Sequence, residues 1–381
     1  MPIHGQVVVG PPGSGKTTFC VGMQDYLRQL GRNTWVVNLD PANEISKSKQ
    51  KGITKTPMVS TSNDLPYECL LDVCESVINL SSVMKQLNLG PNGGLVYCME
   101  YLEAHIDEIL EMLQERIQQQ LLDEDSEDMY LLFDLPGQVE LYTHGRAISR
   151  LLSSLVRVLD LRLVAVQLID AHYCTEPSNF LSAALLGTTT MLKLELPAVN
   201  VLSKVDLLAN YGQLPFSLDF FTECQDVERL LPYLQQQVRD VQREEEDDYY
   251  LGDSNISYSR RWEDNNEYAE DPDYQLAREL KTSSRFFRKH ERLHKAMAEI
   301  VGEFGLLSFL PLDISSAESV GRVLARIDKC NGYIFDSKYQ RNGRVLHNTE
   351  DLFQCAIRSE PSSYDCIADI QERFSMGRVE E

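Results

Sequence analysis

Gly10-Pro11-Pro12-Gly13-Ser14-Gly15-Lys16-Thr17-Thr18 is the stretch that decides how this chain reads. It has the form GxxxxGK[ST] and follows Gln6 to Val9, a short apolar run that reads as a buried strand. A phosphate cradle requires these residue types. The glycines let backbone N–H groups close around phosphate oxygens, so Gly13, Ser14, Gly15, Lys16, Thr17 and Thr18 form the nucleotide-contacting set. Lys16 neutralises the β- and γ-phosphate charge, and the Thr17 hydroxyl reaches a Mg²⁺ ion. Phe19 to Leu30 comes next, where Val21, Met23, Tyr26, Leu27 and Leu30 predict a helix buried along one face.

A chain of 381 residues with 43% hydrophobic content has enough apolar material for a large core, and we read it as one α/β domain. With 36 basic against 58 acidic residues the net charge is -22. That balance opposes a nonspecific nucleic-acid surface and docking on anionic membrane, so neither direct nucleic acid nor membrane is expected as a partner. Nine cysteines are scattered without a CxxC pair, and the N-terminus has neither a basic nor an apolar leader region. These features predict a chain of a reducing compartment, with Asn79-Leu80-Ser81 and Asn255-Ile256-Ser257 unglycosylated.

Six segments read as strands alternating with longer helical or irregular segments, as in a mainly parallel sheet with helices on both faces. They are 6–10, 33–40, 129–134, 163–170, 198–202 and 307–314. Four end near Gly10, Asp40, Asp134 and Asp170, at the carboxyl edge where such sheets bind ligands. Two stretches read as insertions: 46–63, without apolar period, and 243–281, opened by the acidic run Glu244 to Asp248. After Tyr333 the composition turns polar, so 1–333 reads as the domain and 334–381 as a tail.

Asp134-Leu135-Pro136-Gly137-Gln138 follows the third strand. DxxG placed there lets Asp134 reach Mg²⁺ through water while the Gly137 N–H meets the γ-phosphate, and Gln138 has a side chain able to orient an attacking water. Ser203-Lys204-Val205-Asp206 resembles a guanine-reading [N/T]KxD element. The Asp206 carboxylate accepts from guanine N1 and N2, a donor pair adenine lacks, and Lys204 lies along the ring. Ser203 stands where Asn is usual, which shortens or loses one contact to the base or the phosphate loop. Ala317, in Ser315-Ser316-Ala317, is placed to give a backbone N–H to guanine O6. His290-Glu291-Arg292-Leu293-His294 matches HExxH, but its basic surroundings and missing third ligand make it a solvated helix face rather than a zinc site.

With Gly90-Pro91-Asn92 preceding Gly93-Gly94, the combination becomes specific, and the chain resembles the GPN-loop GTPases from Gly5 to about Tyr333. Similar runs are Val37 to Glu44, Asp134 to Gly145 and Asp170 to Cys174. Leu202 to Leu207 and Asp328 to Tyr333 are most similar to the second of the family's three eukaryotic paralogues. The resemblance implies a P-loop NTPase fold and a dimer, homo- or heterotypic with other family members, whose subunits hydrolyse GTP with Mg²⁺. Each inserts Gly90-Pro91-Asn92 toward the partner's nucleotide, where Asn92 helps bind the phosphates. Asp40 matches the residue that polarises the attacking water, with Gln138 and Glu140 as helpers. The resemblance also implies work in the cytoplasm, with shuttling to the nucleus, on assembly and import of RNA polymerase II through its subunits or assembly factors. The alternatives are a nucleotide kinase, since GPPGSGK also opens adenylate-kinase-like proteins, and a scaffold that binds GTP without turnover.

Overall fold

The computed structural model describes residues 3–43, 65–123, 129–211, 214–224, 226–233 and 285–335. Both predicted insertions, the Asn255 sequon and all but the first two residues of the predicted tail lie outside them.

Val7, Val8 and Val9 are completely buried, which explains the unbroken apolar run before the phosphate loop: a strand covered on both faces needs no polar alternation. This run is β1 (Ile3–Val9). It lies at the centre of a seven-stranded sheet with β2 (Thr34–Asn38), β3 (Cys69–Asp72), β4 (Tyr130–Asp134), β5 (Leu161–Asp170), β6 (Ala198–Ser203) and β7 (Phe309–Leu312). The order is β3-β2-β4-β1-β5-β6-β7, and every pairing is parallel. Helix Lys16–Gln29 and helix Ala317–Asn331 cover one face, where Phe19, Met23, Leu27, Val320 and Ile327 meet Val8, Val166 and Leu168. On the other face Leu102, Leu113 and Leu151 pack over Val7, Leu131 and Phe133. Each such side chain contributes about 1.5–3 kcal/mol by leaving water.

Two sequence expectations change. The sheet has a seventh strand, β3, that was not anticipated: it is four residues long, begins soon after the first insertion, and among the described residues pairs with β2 alone, across a register shift at Val36/Val37. The helix after the phosphate loop begins inside the motif, at Lys16, and its buried stripe is Phe19, Cys20, Met23, Gln24 and Leu27. Leu30 lies beyond its end, 47% exposed, and Val21 and Tyr26 are only partly covered. Asn79 of the first sequon caps a helix, its Oδ1 accepting from Ser82 N at 3.1 Å.

At the opposite edge of the sheet from the phosphate loop, Arg32 donates to both carboxylate oxygens of Asp328, at 2.9 and 2.5 Å, with side chains only 10% and 4% exposed. Its guanidinium also lies 3.9 Å over the Tyr333 ring. Removing one partner of such a pair strands the other charge in the interior, at a cost of about 3–5 kcal/mol. Asp328→Ala is therefore expected to lower the denaturant midpoint strongly while nucleotide affinity stays within about two-fold, since the pair is remote from the loop. Equal midpoints for mutant and wild type would show the pair to be energetically idle.

Candidate functional site

Beyond Val9 the chain must turn from a strand into a helix within six residues. Gly10 makes the first turn, with φ 151° and no room for a side chain: a Cβ there would lie 2.4 Å from Leu168 O. Gly15 caps the helix in the left-handed region, so the first turn of helix Lys16–Gln29 opens onto the loop with its N–H groups free of a side-chain cap. The Lys16 ammonium donates to Gly10 O at 3.1 Å and Pro11 O at 3.3 Å. Burial pulls its pKa below the usual lysine value against the attraction of Asp134 and Asp40. A partly desolvated cation of this kind gains more from an arriving phosphate than an exposed one does.

Asp134 closes β4 and is almost fully buried. Thr17 Oγ1 donates to its Oδ2 at 3.0 Å, so the two side chains expected to hold Mg²⁺ meet across 117 residues of sequence. A hydroxyl and a carboxylate at the mouth of a phosphate loop are the hard oxygen set that this ion takes. Gly137 packs against the same loop: a Cβ there would lie 2.6 Å from Lys16 Nζ and 3.2 Å from Pro12 Cα. The DxxG spacing thus brings a backbone segment against the phosphate loop, where a side chain would crowd Lys16 and Pro12.

The base-reading element is fastened to the same loop. Ser203 ends β6, and its hydroxyl donates to Ser14 O at 2.8 Å and Ile169 O at 3.2 Å. The shorter serine therefore keeps a tether to the phosphate loop where asparagine was the usual residue. Lys204, left-handed at φ 59°, donates to Gly13 O and to Asp170 Oδ2, both at 2.6 Å. Val205 is buried as an anchor, and Asp206 follows half-buried in the 3-10 turn Val205–Leu207. Ala317 is the exposed first residue of helix Ala317–Asn331, at the same carboxyl edge of the sheet.

The family model described as "Conserved hypothetical ATP binding protein" matches residues 8–51 and 58–250. The chain is 39% identical to GPN-loop GTPase 2 of Danio rerio over 90% of this chain and 85% of that one. It is 37% identical to GPN-loop GTPase QQT1 of Arabidopsis thaliana over 98% and 97%. The chain belongs to the GPN-loop GTPase family. A GTPase in apo form from Pyrococcus abyssi superposes with a TM-score of 0.49 at 20% identity, covering 86% of this chain and 97% of that one.

The loop that gives the GPN-loop GTPases their name starts helix Pro91–Ala104, with Gly90 as N-cap and Pro91 in the first turn. Gly90, Pro91 and Asn92 are exposed, and Asn92 Oδ1 accepts from Gln138 Nε2 of its own chain at 2.7 Å. The loop is thus linked directly to the DxxG segment. Glu140 is exposed on the short helix Val139–Thr143. Asp40 lies two residues past the end of β2 rather than within a strand, its Oδ1 accepting from Ala42 N at 2.9 Å. Burial raises its pKa, opposed by the Ala42 N–H and by Lys16.

Sequence reasoning missed the groups that fix these side chains. Asn38, wholly buried, accepts from Asp40 N at 3.1 Å and donates to Asp72 Oδ1 at 2.9 Å. Tyr67 donates to Asp134 Oδ2 at 3.1 Å. An asparagine closing an apolar strand was a usable signal for the first; nothing local marked the second. The HExxH segment lies on helix Arg285–Phe304, and no group of three or more His, Cys, Asp or Glu among the described residues is placed to hold a metal.

Burial lifts the Asp134 carboxyl from 3.8 to about 6, against the hydrogen bonds from Thr17 and Tyr67. A raised folded-state pKa means that the native state holds its proton longer than the unfolded chain. The contribution of Asp134 to stability therefore falls as pH rises from about 4 to about 6, by roughly 2–3 kcal/mol, and this loss stays in place above pH 6. Asp134→Asn keeps both hydrogen-bond donors satisfied and deletes the titration. Its stabilisation over wild type should grow between pH 4 and 6 and then level off in thermal melts; an offset independent of pH would refute this.

Proposed function

We propose that this chain binds GTP with Mg²⁺ and hydrolyses it as one subunit of a dimeric switch. The observation that carries this is the convergence of Lys16, Thr17, Asp134 and Gly137 at one loop, tethered through Ser203 and Lys204 to the element bearing Asp206. When bound, Mg²⁺ neutralises charge on the β- and γ-phosphates. Lys16 and the loop N–H groups hold the phosphates, and Asp206 selects guanine over the adenine named in the family description. Asp40 accepts the proton of the attacking water and Gln138 orients that water. The dimer is supported by the exposed Gly90-Pro91-Asn92 loop and by the exposed apolar Leu87, Leu89, Val96 and Tyr97 beside it. The resemblance alone supports cytoplasmic work, with nuclear shuttling, in assembly and import of RNA polymerase II.

Single-turnover hydrolysis of GTP against ATP tests the nucleotide, and mixed dimers test the shared site. If Asn92 serves the neighbour, an Asn92→Ala chain combined with a Lys16→Ala chain recovers part of the activity that each lacks alone, because one composite site then has both groups intact. Pull-down with two tags must first confirm mixed dimers. Confirmed mixed dimers without recovered hydrolysis would assign Asn92 to its own chain's Gln138.

A further inference from the structure

We propose that Tyr67 is a positioning residue of this site: its hydroxyl holds Asp134 Oδ2 beside Thr17 and ties the loop carrying Asp40 to that carboxylate. The inference rests on the Mg²⁺-nucleotide reading above. Three distances carry it. Tyr67 donates to Asp134 Oδ2 at 3.1 Å, Thr17 Oγ1 donates to the same oxygen at 3.0 Å, and Asn43 Nδ2 donates to the Tyr67 hydroxyl at 3.2 Å. With two donors converging on Oδ2, the orientation of the carboxylate is held, and Asp134 would be positioned to help hold Mg²⁺. Asn43 stands three residues after Asp40, so the same hydroxyl also fixes the far end of that turn.

Tyr67 itself is held from outside the site. Its ring is buried against the core face of helix Lys16–Gln29, 6% exposed. The next residue, Glu68, is gripped by the buried amide of Gln24: Glu68 N donates to Gln24 Oε1 at 3.0 Å, and Gln24 Nε2 donates to Glu68 O at 2.9 Å. Gln24 and Thr17 lie on one helix, so the tyrosine and the threonine share a rigid frame. A hydroxyl placed by this frame does not need to reorganise when metal and nucleotide arrive, which is the condition for an effective outer contact to a metal ligand.

The test uses the full chain and a fluorescent GTP analogue, titrated with Mg²⁺ from an EDTA-buffered start. Tyr67→Phe keeps the ring and deletes the hydroxyl. We expect the Mg²⁺ concentration for half-saturation of the nucleotide complex to rise about ten-fold. Analogue affinity in EDTA should stay within two-fold, and the mutant's melting curve should remain cooperative. Unchanged Mg²⁺ half-saturation in Tyr67→Phe overturns the role at Asp134. Asn43→Ala, which leaves the ring and the carboxylate contact alone, should keep the Mg²⁺ affinity and slow single-turnover hydrolysis several-fold; unchanged hydrolysis overturns the tie to the Asp40 loop. Wild-type protein whose GTP binding ignores Mg²⁺ would instead bring down the metal-site reading, and this inference with it.

Discussion

A Lys16→Ala chain is expected to bind GTP at least a hundred-fold more weakly than wild type and to show no measurable hydrolysis, while folding as wild type does. The first half follows from the place of the ammonium. It is the cation of a phosphate loop and is partly stripped of water, so its attraction for phosphate is not diluted by a bulk dielectric. Each hydrogen bond between the ammonium and a phosphate oxygen is worth about 1.5–3 kcal/mol in binding, so losing two gives a factor of roughly a hundred or more, and removing a preorganised donor costs a further about 2.7–4 kcal/mol of transition-state stabilisation. The second half follows from its partners. Among the described residues the ammonium donates to Gly10 O and Pro11 O, carbonyls at the loop mouth, and its burial already opposes its charge. Loss of Lys16 also deprives Asp40 and Asp134 of a compensating charge, so both carboxyls should hold their protons to higher pH than in wild type. Isothermal titration with GTP and a cooperative melt decide the matter; wild-type affinity in the mutant would remove the phosphate loop from the site.

What the sequence made legible was local. Gly10, Lys16 and Thr17 stand within one motif whose spacing is set by a strand-to-helix turn, and Asp134 and Gly137 are fixed by a second short motif. Each could be read without knowing what packs against it. The contacts between motifs were partly legible: the departure at Ser203 was visible, but its tether to Ser14 O depends on how β6 sits beside the loop. Features set by long-range packing were not legible. β3 is an edge strand whose partner lies across the first insertion, and its four residues are too few for a pattern. The buried stripe of the first helix was misplaced because one of its members is polar: Gln24 points inward and donates to the carbonyls of Glu68 and Thr34, which an apolar pattern does not reveal. Tyr67 was invisible for the same reason: a tyrosine after Leu65-Pro66 carries no pattern, and its role comes entirely from where that grip places its hydroxyl.

Asp206→Asn should exchange one base for another rather than simply weaken binding. Guanine offers two donors, N1–H and N2–H, to the carboxylate, which accepts both. An amide in that place keeps one acceptor but turns a donor toward the N2 amino group, so one bond is lost and two donors face each other in a partly buried position. Each bond to a charged partner is worth about 1.5–3 kcal/mol, and an unpaired buried donor costs a similar amount, so GTP affinity should fall by about a hundred-fold or more. Xanthine carries a carbonyl at C2 in place of the amino group while keeping N1–H. It therefore presents one donor and one acceptor, the complement of asparagine, and xanthosine triphosphate should bind the mutant more tightly than GTP does. The frame that places residue 206 is independent of its carboxylate, being set by buried Val205, the Ser203 tether and the Lys204 contacts to Gly13 and Asp170. Hydrolysis of xanthosine triphosphate by the mutant should accordingly approach the wild-type rate on GTP, because Lys16, Asp40 and Asp134 are untouched. Competition binding with both nucleotides reads the exchange directly; a mutant that still prefers GTP would show that guanine is read elsewhere, and one that binds neither would show that Asp206 supports the fold of the site rather than the base.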